Sequence, residues 1–196
     1  MTAHAFKLIG MLMGNTSSRW GPVSQLLHWV VVALVITQLI LGPLAAALPL
    51  GMHKLAMLAR HKSIGITILM LAVLRLLWRA LSPTPQLPAT LAPHERRLAR
   101  CTHAALYALL FILPLSGWIM SSARNFAVSW FGLFQLPDLV SPDRYLYEFM
   151  VRAHLILAWV LGIVAALHAL AALRHHFILK DDVLRRMLPA PPRHAR

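Results

Sequence analysis

Four apolar stretches, about Ser24–Leu48, His61–Leu81, Cys101–Ser122 and Met150–Leu173, are each long enough to cross a bilayer. A span needs about 20 mostly apolar residues. Together these four take up nearly half of the 196 residues, and only short segments separate them, so the chain has no room for a second soluble domain. Its composition agrees: 59% of residues are hydrophobic and 13% charged, against roughly half and a quarter in soluble domains. The expected fold is an all-α membrane protein, a bundle of four transmembrane helices.

The net charge of +13 does not imply nucleic acid as a partner, because the basic residues flank the spans. Arg79, Arg96, Arg97 and Arg100 lie between spans two and three, and Arg174, Lys180, Arg185, Arg186, Arg193 and Arg196 follow span four. The connection before span four mixes Arg124, Arg144 and Arg152 with Asp138, Asp143 and Glu148. The positive-inside rule then places the second loop and both termini in the cytoplasm. Lys54 and Arg60, read as part of the first loop, pull the other way.

The apolar patch Leu8–Met13 is too short for a signal peptide, and span one is expected to stay as an uncleaved anchor. Trp20, Gly21 and Pro22 open that span, Trp29 sits at interfacial depth, and Gly42-Pro43 marks its far end. The proline-rich "SPTPQLPATLAPHERR" reads as an extended connection, with helix three starting at the surface. The aromatics of "AVSWFGLFQLP" suggest a segment lying at the outer interface, and "LPAPPRHAR" reads as a loose tail. A single cysteine, Cys101, rules out an intrachain disulfide, and the absence of CxxCH rules out haem attached through that motif.

Histidines inside apolar spans carry the functional argument. His154 and His168 are fourteen residues apart in span four. At about 100° per residue they fall within about 40° of one face, and at 1.5 Å rise they stand about 21 Å apart. Each needs a partner at its own depth. His28 near the inner end of span one matches His168, and His61 at the outer end of span two matches His154. Two facing imidazoles at each of two levels suit two bis-histidine haems.

Neighbouring residues fit a flat macrocycle. Gly42 lies fourteen residues after His28, Gly65 follows His61 by four, and Gly162 sits between the two levels of helix four. Each is a place where a porphyrin could approach the backbone, or where helices pack closely. Arg75, fourteen residues after His61, falls at the inner level, where haem propionates would match its guanidinium. Arg79 reads as a snorkelling cation. His103, with Tyr107 one turn on, reads as a surface histidine or as a group for quinone or proton handling. His53 is expected to be solvated, and His175, one heptad beyond His168, is its rival as ligand.

"SQLLHW", "RHKSIGITILMLAVLRLLWR", "LPLSGWIMSSA" and "AHLILAWVLGIVAALHALAALRHHFILKDDVLRRM" together resemble the bacterial cytochrome b561 family, over about Arg19 to Pro189. The family is related to the cytochrome b subunits of nickel–iron hydrogenases and formate dehydrogenases. The resemblance implies a multi-pass protein of the bacterial inner membrane with two non-covalent haems b on His28, His61, His154 and His168. It also implies electron exchange with quinone or quinol. Superoxide, or another periplasmic donor, is the candidate source of electrons, which would make the chain an oxidoreductase. Domains are then expected at 1–19 (N-terminal extension), 20–180 (di-haem domain) and 181–196 (basic cytoplasmic tail). The alternatives are a haem b anchor subunit of a larger dehydrogenase or hydrogenase, and a haem-free transporter or scaffold.

Overall fold

The structure is a computed structural model that describes residues 14–86 and 91–189. The patch Leu8–Met13, part of the proline-rich connection (87–90) and the end of the tail, with Arg193 and Arg196, lie outside the described residues. Helix α1 spans Pro22–Ala47, α2 Met52–Leu81, α3 Pro93–Ala123 and α4 Arg144–Phe177. Between α3 and α4 lie two short strands, β1 (Val128–Trp130) and β2 (Phe134–Leu136), and a 3-10 turn, Arg185–Met187, follows α4. All four long helices have the length and hydropathy to cross a membrane.

Local sequence explains the helix ends. Proline occupies the first turn of α1 and α3, where its missing N–H costs nothing and its fixed φ suits the helix. The Ala92 amide donates to Glu95 Oε2 (3.2 Å) at the start of α3. Asp143 caps α4 by accepting from the Leu146 amide (2.9 Å). Pro43 and Pro114 lie inside α1 and α3. Each removes one helical hydrogen bond, which membrane bundles tolerate because neighbouring groups re-satisfy the freed backbone.

One boundary differs from the sequence reading: α2 begins at Met52, so His53, Lys54 and Arg60 belong to helical turns, while α1 ends at Ala47, close to the expected end of span one. Nothing between Met52 and Arg60 breaks a helix, so α2 runs on beyond its most apolar part. His53 is exposed, as expected. Lys54 Nζ donates to the carbonyls of Leu48 (2.8 Å) and Ala46 (3.1 Å), neutralising the C-terminal end of α1.

Neighbouring helices pack as α1–α2, α2–α3 and α3–α4. Helix α4 packs most closely against α3, and Leu161 is its one buried residue. The middle of the bundle is an apolar layer of Val31 and Val35 (α1), Ile68 and Ala72 (α2), Leu109 and Leu110 (α3) and Leu161 (α4). Outside it the surface is also apolar: Ile36, Ile40 and Leu44 on α1 and Leu155, Trp159, Ile163 and Leu170 on α4 are exposed. Contiguous surfaces of that kind belong against lipid. Association within lipid then depends on close packing and polar contacts, and buried Ser24, which accepts from Trp78 of α2, and Ser116, beside His154 of α4, supply two of them.

Each end of the bundle is closed differently. At one end β1 and β2 pair antiparallel, with Val128 opposite Leu136 and Trp130 opposite Phe134. Gly132, at φ +76°, makes their turn. The hairpin sits on α2: the Ser63 hydroxyl meets the Ser129 carbonyl (3.0 Å) and accepts from the Phe131 amide (3.0 Å). Trp130 Nε1 donates to Thr67 Oγ1 (3.1 Å). So the aromatic segment is a docked hairpin, with Phe131, Leu133 and Phe134 exposed at its tip.

At the other end, the chain leaving α4 crosses to α1. Gln25 Nε2 donates to the carbonyls of Arg186 (3.2 Å) and Leu188 (3.1 Å), and Trp29 Nε1 donates to Met187 O (2.9 Å). Asn15 Oδ1 accepts from the Gly21 amide (2.9 Å) and from Ser24 Oγ (2.7 Å), joining residues ahead of α1 to the bundle. His175 donates from Nδ1 to Asp181 at the corner. Burial alone would raise the Asp181 carboxyl, but the bonds from His175 and the Val183 amide hold it below its ordinary range.

Candidate functional site

Helices α1 and α3 run from the termini end of the bundle to the hairpin end, and α2 and α4 run back. Two layers of functional side chains result, one on each side of the apolar middle.

At the termini end, His28 of α1 and His168 of α4 face each other with ring centroids 6.4 Å apart. Arg75 of α2 reaches this layer, with Nη2 3.1 Å from His28 Nδ1 and its guanidinium 5.4 Å from the Tyr107 ring centre. Arg79 lies over the rings of Trp20 (5.9 Å) and Tyr107 (5.7 Å). His103 of α3 completes the layer, its ring centroid 5.3 Å from that of His168. His103 is therefore half-buried beside the pair, which corrects its reading as a surface histidine. The face that looked peripheral by position turns inward because α3 packs between α2 and α4.

At the hairpin end, His61 of α2 and His154 of α4 have ring centroids 6.1 Å apart. Glycines back both rings. A Cβ on Gly42 would come within 3.2 Å of His61 Cε1, and one on Gly117 within 3.1 Å of His154 Cε1. Gly65 backs onto Gln38 Nε2 (3.3 Å to its built Cβ), and Gly162 meets Leu39 at an ordinary 3.9 Å. Gln38 Nε2 donates to the His61 carbonyl (2.8 Å). His154 Nδ1 lies 2.9 Å from Ser116 Oγ, whereas His61 Nδ1 is buried with no hydrogen-bond partner among the described residues.

One spacing generates both layers. His28 and Gly42, His61 and Arg75, His103 and Gly117, and His154 and His168 are each fourteen residues apart. Every helix thus gives one residue to each level. The sequence reading applied this spacing to α1, α2 and α4 and missed it in α3, where the same count would have found His103 and Gly117.

These residues fit haem. With metal–nitrogen bonds of about 2 Å and a ring radius of about 1.1 Å, two imidazoles on one iron have centroids roughly 6.2 Å apart. The observed 6.4 and 6.1 Å match that separation. No group of three or more His, Cys, Asp or Glu side chains suited to a metal occurs among the described residues. Paired imidazoles without further ligands suit a metal whose remaining positions are filled by a macrocycle. The orphaned Nδ1 of His61 and the two glycines against the rings are consistent with a flat group there.

Four membrane-spanning helices with facing histidines define a membrane cytochrome of the electron-transfer class. Residues 19–190 match the family described as Prokaryotic cytochrome b561, and the chain belongs to that family. It is accordingly a haem b-binding, multi-pass bacterial membrane protein. "Cytochrome b561 homolog 2" of Escherichia coli (strain K12) is 38% identical over 181 residues, covering 91% of this chain and 95% of that one. "Probable superoxide oxidase CybB" of Yersinia pestis is 35% identical over 163 residues, covering 83% and 92%. "Cytochrome b561 homolog 1" of Escherichia coli (strain K12) is 27% identical over 173 residues, covering 88% and 98%.

Proposed function

We propose that the protein is a di-haem electron carrier of the inner membrane. One haem b is held between His28 and His168 and the other between His61 and His154. Residues 20–180 form the di-haem domain, the termini end faces the cytoplasm and the hairpin end faces the periplasm. Electrons are exchanged with quinone, and superoxide is the donor at the outer end. The observation that carries this reading is the pair of facing imidazole pairs at the two ends of α4. Orientation rests on Arg79, Arg96, Arg97, Arg100 and Arg174, all at the termini end.

Haem b held between these histidines would supply a reversible one-electron centre. The histidines hold it and fix the two levels about 21 Å apart along α4. The layer of Val35, Ile68, Leu109 and Leu161 keeps water out between them. Gly42 and Gly117 leave room for the rings of His61 and His154, whereas Gly65 and Gly162 face Gln38 and Leu39 of α1.

Arg75 has a proton-counting role. Its guanidinium only donates, so its bond to His28 Nδ1 requires the lone pair there. A neutral imidazole that binds metal through Nε2 carries its proton on Nδ1. Arg75 must then turn to another acceptor, and a haem propionate is a suitable one. Superoxide as donor draws on the name of the Yersinia relative and on the cations Lys54, Arg60 and Lys62 of α2, which focus a field at the outer end.

The test is an anaerobic reduced-minus-oxidised spectrum of the purified protein, followed by quinol and then by superoxide. Both should reduce haem b, and quinone should reoxidise it. A spectrum indifferent to quinol and quinone would overturn the quinone exchange, and a copurifying iron–sulfur partner would assign the chain to a larger dehydrogenase.

A further inference from the structure

The "LSGW" stretch of α3 marked the family resemblance, but nothing so far explains why it is built as it is. We propose that Ser116 is a positioning residue for the outer haem: it accepts the Nδ1–H of His154, locks that ring in the tautomer that presents Nε2, and raises the ligand's basicity. This rests on the reading that His154 is a ligand of haem iron.

Proton inventory leads to it. Ser116 Oγ lies 2.7 Å from the Leu113 carbonyl and 2.9 Å from His154 Nδ1. A hydroxyl has one proton, and a carbonyl can only accept. The Ser116 proton therefore goes to Leu113, and its oxygen is left to accept. With the hydroxyl proton given to Leu113, the matching arrangement puts the ring proton of His154 on Nδ1 and its lone pair on Nε2. Ser116 is buried, so water does not compete for the hydroxyl.

The next residue supports the same ring by a different means. A Cβ on Gly117 would approach His154 Cε1 to 3.1 Å, so α3 both orients the imidazole and makes space for it. Trp118 Nε1 then donates to Pro137 O (3.0 Å), tying this turn to the segment that follows the hairpin. Ser116 and Gly117 thus meet His154 from consecutive positions, and Trp118 anchors the turn that carries them.

The chemical consequence is specific. A hydrogen bond accepted from Nδ1–H makes the imidazole a better electron donor to the metal. Donation of that kind favours the ferric state and lowers the potential. Ser116 stands beside His154 at the outer level, so the device acts on the outer haem alone.

The experiment compares Ser116→Ala, Ser116→Thr and the native protein by potentiometric titration of each haem and by the rate at which haem passes to excess apomyoglobin. Alanine is the best helix former, so Ser116→Ala should fold. It should move the outer midpoint to more positive potential and release the outer haem about 10-fold faster, as loss of such a partner does at metal sites. The inner haem should be unaffected, and Ser116→Thr, which keeps the hydroxyl, should restore both properties. A Ser116→Ala protein with native outer potential and native release rate would overturn the proposal, as would equal shifts in both haems. His154→Ala separates the two levels of the argument: retention of both haems would remove the ligand reading itself, whereas loss of the outer haem together with a silent Ser116→Ala would remove only the role of Ser116.

Discussion

The two ends of the bundle hold the same kind of histidine pair in opposite surroundings. At the termini end the layer is crowded and cationic: His28 and His168 share it with His103, Arg75, Arg79 and Tyr107. At the hairpin end the groups packed against the rings are small and neutral: His61 and His154 are backed by Gly42, Gly117 and Ser116. One pair is held by charge and the other by close fit. A side chain removed at the first level leaves a charge to be compensated, and a side chain added at the second has nowhere to go.

Removing a ligand should break the comparison most completely. His168→Ala should lose the termini-end haem and keep the other, and His154→Ala should do the reverse, each variant holding about half the native haem by pyridine haemochrome assay. His103→Ala should keep both, since His28 already faces His168. If His168→Ala keeps both haems while His103→Ala or His175→Ala loses one, the termini-end pair is wrongly assigned.

Adding a methyl should act only at the close-fitting end. Gly42→Ala and Gly117→Ala press on His61 and His154 respectively, and overpacking of this kind costs about 1–3 kcal/mol. Each should lower occupancy of the hairpin-end haem and leave the other at native level. Gly162→Ala, with only an ordinary contact at 3.9 Å, is the control and should keep both.

Removing charge should act only at the other end. Arg75→Leu should shift the potential or occupancy of the termini-end haem more than that of its partner, read by redox titration. An unchanged potential and full occupancy there would take Arg75 out of the site.

The smallest effect concerns the outer surface. Neutralising Lys54, Arg60 and Lys62 together should slow reduction by superoxide and leave quinol reduction nearly unchanged. Added salt should weaken the superoxide step, since exposed charges are screened over about 8–10 Å at physiological strength. The change should be modest because two of the three cations already face carbonyls: Lys54 that of Leu48, and Lys62 those of Phe126 and Ala127 (both 3.4 Å). Equal slowing of both reactions would indicate structural damage instead.

Much of this arrangement was legible in the sequence because lipid imposes simple rules. Hydropathy marked the four spans, and helical periodicity paired His28 with His168 and His61 with His154 by depth, as the rings now stand. What the sequence hid depends on contacts between distant segments. Ser116 looks like any small polar residue of a membrane helix until His154, 38 residues on, is placed beside it. The crossing of the chain after α4 to Gln25 and Trp29 uses main-chain carbonyls, which leave no trace in residue type. The three-residue strands of the hairpin are too short for an alternating pattern to emerge. His103 was readable, since its fourteen-residue offset from Gly117 repeats the offsets on the other helices.

Haem content of the purified native protein tests the central claim, two haem levels on one helix, most directly. A pyridine haemochrome assay against protein concentration should give about two haems b per chain, all released by acidic acetone because the chain has no CxxCH. One haem per chain, or haem that stays with the protein after extraction, would contradict it.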